Sequence, residues 1–146
     1  MEKKTIIIGS DHAGYEMKTS LTKYFEQAGY TYCDEGCYDV VSVDYPDYAK
    51  KVAINVLSDN TRIGILLCGS GIGVSITANR FSGIRAALCW TEEIARLSRQ
   101  HNDANILCIP ARFIHVNQAI EIVEVFMKTD FEGGRHLNRV KKIENE

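Results

Sequence analysis

Long apolar runs are missing from this chain. The first, Ile6 to Ile8, is too short for the core of a secretion signal behind Met1-Glu2-Lys3-Lys4, and no later stretch could span a bilayer. An excess of one charge is missing too. A formal net charge of -2 offers no basic surface for nucleic acid or for an anionic membrane. The five cysteines include no C-x-x-C pair, so neither a disulfide framework nor a zinc knuckle is expected, and a reducing, cytoplasmic compartment fits best. No linker, repeat or low-complexity segment divides the chain. Its 146 residues are expected to form one domain, 1–146, large enough for a core of its own.

What is present gathers around Ile63 to Arg80. Ile63, Ile65, Leu66 and Leu67 make a short apolar run, the pattern of a strand buried on both faces. Gly69, Gly71 and Gly73 come next, where backbone must turn tightly or approach a ligand closely. Val74 to Arg80 then reads as a short helix. Strand, glycine loop and helix N-terminus together aim several backbone N–H groups at one point, where an anion is welcome. Cys68 ends the strand inside that field, and a thiol there is expected to ionise readily and serve as base or nucleophile.

Standard loops do not match. No Lys-Ser or Lys-Thr succeeds the glycines, so this is not a P-loop. The glycines lack dinucleotide spacing and no acidic residue ends the strand read at Ala86 to Trp90, which argues against a nicotinamide site and a cofactor-dependent oxidoreductase. A hydrolase elbow needs glycines two residues before and two after its serine, and Ser70 has Cys68 and Ile72 there. The competing reading is a tight strand–helix turn beside an inert core cysteine.

Along the rest of the chain, strands and helices alternate. Thr5 to Gly9 reads as a first strand, leading into a helix with Met17, Leu21, Tyr24, Phe25 and Ala28 on one stripe and Gly29 closing it. A second strand is expected at Thr31 to Asp34, a loop over Glu35 to Asp44, and a helix starting at Asp44-Tyr45-Pro46. Thr91 to Arg99 reads as a helix capped by Thr91, Ile106 to Pro110 as a fifth strand, and Val116 to Lys128 as a helix apolar on more than one side. A last helix after Gly133-Gly134 carries Arg135 and Arg139 one turn apart. The fold class is α/β: a Rossmann-like three-layer αβα sandwich with a five-stranded parallel sheet and a C-terminal helix.

In such sheets ligands sit beyond the carboxyl ends of strands, where Asp11, His12 and Cys68 all fall. Asp11-His12 could still be a cap and a solvated imidazole, or could hold a sugar hydroxyl and a phosphate. His101-Asn102-Asp103 could be no more than a helix terminus. Arg112, Arg135 and Arg139 could be ordinary surface charges, although Arg135 and Arg139, on one helical face beside Gly133-Gly134, also suit a phosphate. Tyr45 is more often packing than ligand. Cys33, Cys37, Cys89 and Cys108 read as structural.

Six segments together carry a resemblance: GSDHAGYEMK (Gly9–Lys18), SVDYPDYA (Ser42–Ala49), CGSGIGVSITANR (Cys68–Arg80), GIRAALC (Gly83–Cys89), SRQHNDANIL (Ser98–Leu107) and EGGRHLNRV (Glu132–Val140). In this order, over nearly the whole chain, the sequence resembles ribose-5-phosphate isomerase of the B type, in a superfamily that includes galactose-6-phosphate isomerase. The resemblance implies a metal-free, cofactor-free interconversion of D-ribose 5-phosphate and D-ribulose 5-phosphate through an enediolate. It implies Cys68 as the base, His101 as the residue that opens the furanose ring, and Asp11 as a holder of sugar hydroxyls. The amides of Gly69, Ser70, Gly71, Ile72 and Gly73, with the Ser70 hydroxyl, would stabilise the enediolate oxygen. His12, Arg112, Arg135 and Arg139 would take the phosphate, and Tyr45 and Asn102 would contact the sugar. Rival readings are a six-carbon substrate, galactose 6-phosphate or allose 6-phosphate, and a module that binds a sugar phosphate without turning it over.

Topology adds one expectation. Cys68 ends strand three, whereas His101 lies in the connection entering strand five, at the opposite edge of the sheet. A five-residue strand spans about 17 Å, so one chain does not easily bring both onto one sugar. If both serve one site, as the resemblance implies, His101 comes from a second subunit of a homodimer or dimer of dimers. The broad apolar face of Val116–Lys128 is the expected pairing surface.

Overall fold

The structure, a computed structural model, describes residues 3–144. Met1, Glu2, Asn145 and Glu146 lie outside the described residues, and with them both ends of the expected 1–146 domain and the start of the stretch weighed as a secretion signal. Strands β1 (Thr5–Ser10), β2 (Tyr32–Asp34), β3 (Arg62–Cys68), β4 (Ala86–Leu88) and β5 (Ile106–Pro110) form a parallel sheet in the order β2-β1-β3-β5-β4. The chain leaves β1 toward β2 and returns to the other side of β1 as β3. The strand order therefore reverses between β1 and β3, the place where an open α/β sheet leaves a crevice for a ligand.

Alternation along the strands builds two cores. Ile6 and Ile8 of β1, Ile63, Ile65 and Leu67 of β3, and Leu107 and Ile109 of β5 face one side. Ile7, Leu66, Cys68, Ile106 and Cys108 face the other. Helices cover both faces, which is why these strands read as continuous apolar runs. On the first face lie α1 (Tyr15–Ala28), α4 (Glu92–Asn102) and α5 (Val116–Lys128); on the second lie α2 (Tyr45–Leu57) and α3 (Ile72–Ala78). The expected three layers are present. Each large apolar side chain so covered contributes roughly 1.5–3 kcal/mol relative to leaving it exposed.

Local signals set most boundaries. Gly29 closes α1 with φ 81°, and the Thr91 hydroxyl accepts the Ile94 N–H at the start of α4. The last helix, α6 (Arg135–Glu144), is tied down at its far end. There the Glu144 carboxylate accepts from the Ser82 hydroxyl and the Gly83 N–H, each at 2.7 Å.

Three expectations need correction. The helix after the glycine loop begins at Ile72 rather than Val74, because Gly71 at φ 74° completes the turn and lets α3 start on the next residue. It ends at Ala78 because the Asn79 side chain pairs with both backbone groups of Ala86. β4 stops at Leu88, two residues before Trp90, whose side chain is exposed. The third correction concerns α5. Its apolar face is not free for a second subunit: Ala119, Ile122, Val123, Phe126 and Met127 are buried in this chain's own core, with Ile120 and Val125 packed beside them. The helix is apolar on more than one side because α1 and α4 flank it while β5 lies beneath it.

Candidate active site

β1 and β3 end side by side, and backbone hydrogen bonds tie the two strand ends together. The Asp11 N–H donates to the Leu67 carbonyl at 3.3 Å. The loop after β5 joins them: Ala111 N–H donates to the Cys68 carbonyl and Arg112 N–H to the Gly69 carbonyl, both at 3.0 Å. These bonds frame a cavity of about 640 Å³ lined by Asp11, His12, Tyr45, Cys68, Gly69, Ser70, Ile72, Gly73 and Arg112, together with Ile76 and Phe113. Nine of the sequence-predicted residues meet here, and Gly71 lies in the same loop. Ile76 and Phe113 had no chemical signal in the sequence; they are apolar walls.

The side chains are held in definite states. Cys68 is buried, and its Sγ accepts the Gly71 N–H at 3.2 Å, a backbone donor set against the sulfur. Only glycine fits at position 71. Its φ is 74°, and an added Cβ would lie 2.5 Å from Leu88 Cδ1 and 3.1 Å from the Ile109 backbone. At Gly73 an added Cβ would stand 2.5 Å from the Tyr45 ring, so the missing side chain is what lets that ring close over the loop. His12 Nδ1 accepts the Val43 N–H at 3.2 Å, which leaves the imidazole proton on Nε2 as a donor. The Asp11 Oδ1 accepts the Gly14 N–H at 3.1 Å, three residues on, fixing the turn that leads into α1. Ser70 Oγ accepts the Ile72 N–H at 3.2 Å and keeps its own proton to give. The Arg112 side chain lies across Gly69 and has no acidic partner among the described residues.

His101, Asn102, Arg135 and Arg139 are elsewhere. The first two end α4 at the opposite edge of the sheet, where they line a separate cavity of about 340 Å³ with His136 and Arg139; Arg135 opens the same α6. One chain therefore carries two groups of predicted site residues that it does not bring together. Sequence reading passed over two members of the second group. His136 is buried and stacks on His101, with ring centroids 4.3 Å apart and planes 13° from parallel. Glu132 faces both imidazoles. Burial, with the positive neighbours His101, Arg135 and Arg139, holds His136 below the usual histidine range. The spacing Glu132-x-x-x-His136 at a helix start was the available signal.

The remaining thiols bear on the cysteine question. Burial pushes Cys89 up to about 11 and Cys108 further still, so neither is a nucleophile at neutral pH. Cys37 is buried, but Cys33, read as structural, lies exposed on the edge strand β2.

Comparison with known proteins places the chain among sugar-phosphate enzymes. A family model described as Ribose/Galactose Isomerase matches residues 6–143. Ribose-5-phosphate isomerase B of Escherichia coli is 41% identical over 140 residues, covering 96% of this chain and 94% of that protein. A ribose 5-phosphate isomerase from Thermotoga maritima is similar in structure, with TM-score 0.96 and 50% identity, over 99% of this chain and 100% of the other. Ribose-5-phosphate isomerase B from Mycoplasma genitalium, solved with ribulose-5-phosphate bound, matches with TM-score 0.92 and 40% identity over 98% of this chain and 95% of that one.

Proposed function

The chain belongs to the Ribose/Galactose Isomerase family, and from that premise we propose that it interconverts D-ribose 5-phosphate and D-ribulose 5-phosphate with Cys68 as the base. The chemistry is an aldose–ketose isomerisation. The observation that carries the assignment is the convergence of Cys68, Asp11, His12 and Arg112 on one cavity at the strand-order reversal.

Cys68 takes a proton from C2 of the open-chain aldose and returns it at C1, passing through an enediolate. Charge gathers on an oxygen beside the 69–73 loop. Fixed amides of that loop and the Ser70 hydroxyl meet it there without reorganising, which is how an oxyanion is best stabilised. The Gly71 N–H is already placed on the sulfur. Asp11 has Oδ2 left for the sugar hydroxyls, since only Oδ1 serves the turn. His12 from Nε2 and Arg112 from its guanidinium, both lining the cavity, donate to the phosphate.

His101 opens the furanose ring by protonating the ring oxygen as its bond to C1 breaks; the C1 hydroxyl releases its proton to water, leaving the aldehyde. The residue comes from a second subunit. Arg135 and Arg139 share its edge and arrive with it, completing the phosphate site, while Asn102 contacts the sugar. The working form is a homodimer, or a dimer of dimers, with its sites in the cleft between chains. Because α5 is used internally, the pairing surface is the exposed apolar rim of Ile72, Ile76, Trp90 and Phe113 around the cavity. The protein works in the cytoplasm, a reading supported by five unpaired cysteines.

The direct test is turnover across five- and six-carbon sugar phosphates with chelator present. Ribose 5-phosphate is expected to be the best substrate; preference for galactose 6-phosphate or allose 6-phosphate would reassign the pocket. Within that assay, Arg139→Ala or Arg135→Ala is expected to raise KM by about 10- to 150-fold, the loss of one charge-assisted hydrogen bond of roughly 1.5–3 kcal/mol. Any reaction with unphosphorylated ribose should be nearly indifferent to either change. Equal losses on both sugars would mean that the arginines serve the fold and not the phosphate.

A further inference from the structure

His136 does no chemistry in the isomerisation, yet its ring carries a side chain that does. The His101 imidazole is 40% exposed, and no hydrogen bond holds it among the described residues. The carboxylate beside it, Glu132, is 3.9 Å from Nε2, beyond hydrogen-bond reach. A side chain so placed, in the last turn of α4, is free to exchange rotamers unless packing stops it. The packing is the flat face of His136, with ring centroids 4.3 Å apart and planes 13° from parallel.

That face is held rigidly. The Glu132 N–H donates to the Gln100 carbonyl at 3.1 Å, which ties the approach to α6 to the residue before His101. The His136 N–H donates to the Gly133 carbonyl at 3.0 Å. At its far end α6 is fastened by the Glu144 carboxylate to Ser82 and Gly83. His136 itself is buried, so its ring has one place to sit and offers His101 one face. Charge suits the stack as well. Burial, with His101, Arg135 and Arg139 as positive neighbours, outweighs the pull of Glu132 and keeps His136 neutral at neutral pH. A neutral ring accepts above it the protonated imidazole that ring opening requires, whereas a second imidazolium would repel it.

We propose that His136 is a positioning residue: its buried ring is the platform that sets the plane of the His101 imidazole against the furanose ring oxygen. The proposal rests on the reading that His101 opens the sugar ring. It needs the flat face of His136 and not its nitrogens.

Two assays on the full chain separate ring opening from proton transfer. Ribose 5-phosphate is a closed furanose and must be opened. Ribulose 5-phosphate cannot close such a ring, because its C5 oxygen carries the phosphate. Exchange of its C1 hydrogen for deuterium from solvent, followed by NMR, therefore needs Cys68 and not His101. His136→Val should lower kcat on ribose 5-phosphate by about tenfold or more, with the exchange rate within about twofold of the parent. His136→Phe, which restores a flat ring without nitrogens, should recover most of that loss. Both rates falling together would assign His136 to the fold or to the phosphate and overturn the proposal. A His136→Phe as poor as His136→Val, or no loss in either, would overturn it too. His101→Ala, run in the same assays, should lose turnover and keep exchange. If it does not, the ring-opening role fails and the platform with it. If it does and His136→Val does not, only the platform fails.

Discussion

Cys68→Ala is expected to lose isomerisation, with turnover down by about 10²–10⁴-fold, the range spanned by a positioned general base. Sugar-phosphate binding should survive, because the phosphate contacts are assigned to His12, Arg112, Arg135 and Arg139 and not to the sulfur. The fold should survive too, since alanine at the end of β3 keeps every backbone bond that joins the strand to the loop after β5. Exchange of the C2 proton with solvent, tracked by NMR, should vanish together with turnover. If the variant kept most of its activity, Cys68 would be a core cysteine after all, and the base would have to be sought among Asp11 and the other groups of the cavity. The buried thiols offer no substitute: Cys89 and Cys108 stay protonated at neutral pH.

The second large effect is a recovery. Cys68→Ala and His101→Ala should each be inactive alone. Unfolded together, mixed in equal amounts and refolded, they should regain about a quarter of wild-type activity. Half of the randomly formed dimers are mixed, and each mixed dimer rebuilds one intact site from the unaltered Cys68 of one chain and the unaltered His101 of the other. A site complete within one chain predicts no recovery. Subunit exchange must be demonstrated separately, by mass or by tag; given that exchange, a mixture as inactive as its parents would sink the shared site. The structure motivates the experiment by putting Cys68 and His101 in two separate cavities of one chain.

The sheet was legible because its strands are buried on both faces, and such strands write themselves as unbroken apolar runs; β5 begins and ends where Ile106–Pro110 was read. Helix ends marked by a left-handed glycine or a hydroxyl cap were legible for the same local reason. The start of α3 was not, since a glycine in the left-handed region can be the last residue of a loop or the cap of a helix, and spacing alone does not separate the two. The surroundings of α5 were not legible either. Apolar residues on two flanks describe equally a helix between two neighbours of its own chain and a helix awaiting a partner; only the packing of α1 and α4 decides. Within the site, glycines and Cys68 announced themselves by chemistry and position. Glu132 and His136 did not, because their meeting with His101 depends on where α6 crosses the end of α4.

Trp90 stands half exposed in the apolar recess beside the glycine loop, with Ile72, Pro110 and Phe113 around it. It is the chain's sole tryptophan. The molecule therefore carries a built-in optical reporter at the very rim assigned to pairing, and its emission is not diluted by a second indole. An indole facing water emits to the red of one that is enclosed. Whatever covers this rim should shift the intrinsic fluorescence toward the blue, and whatever uncovers it should shift it back, with no label attached and no residue changed.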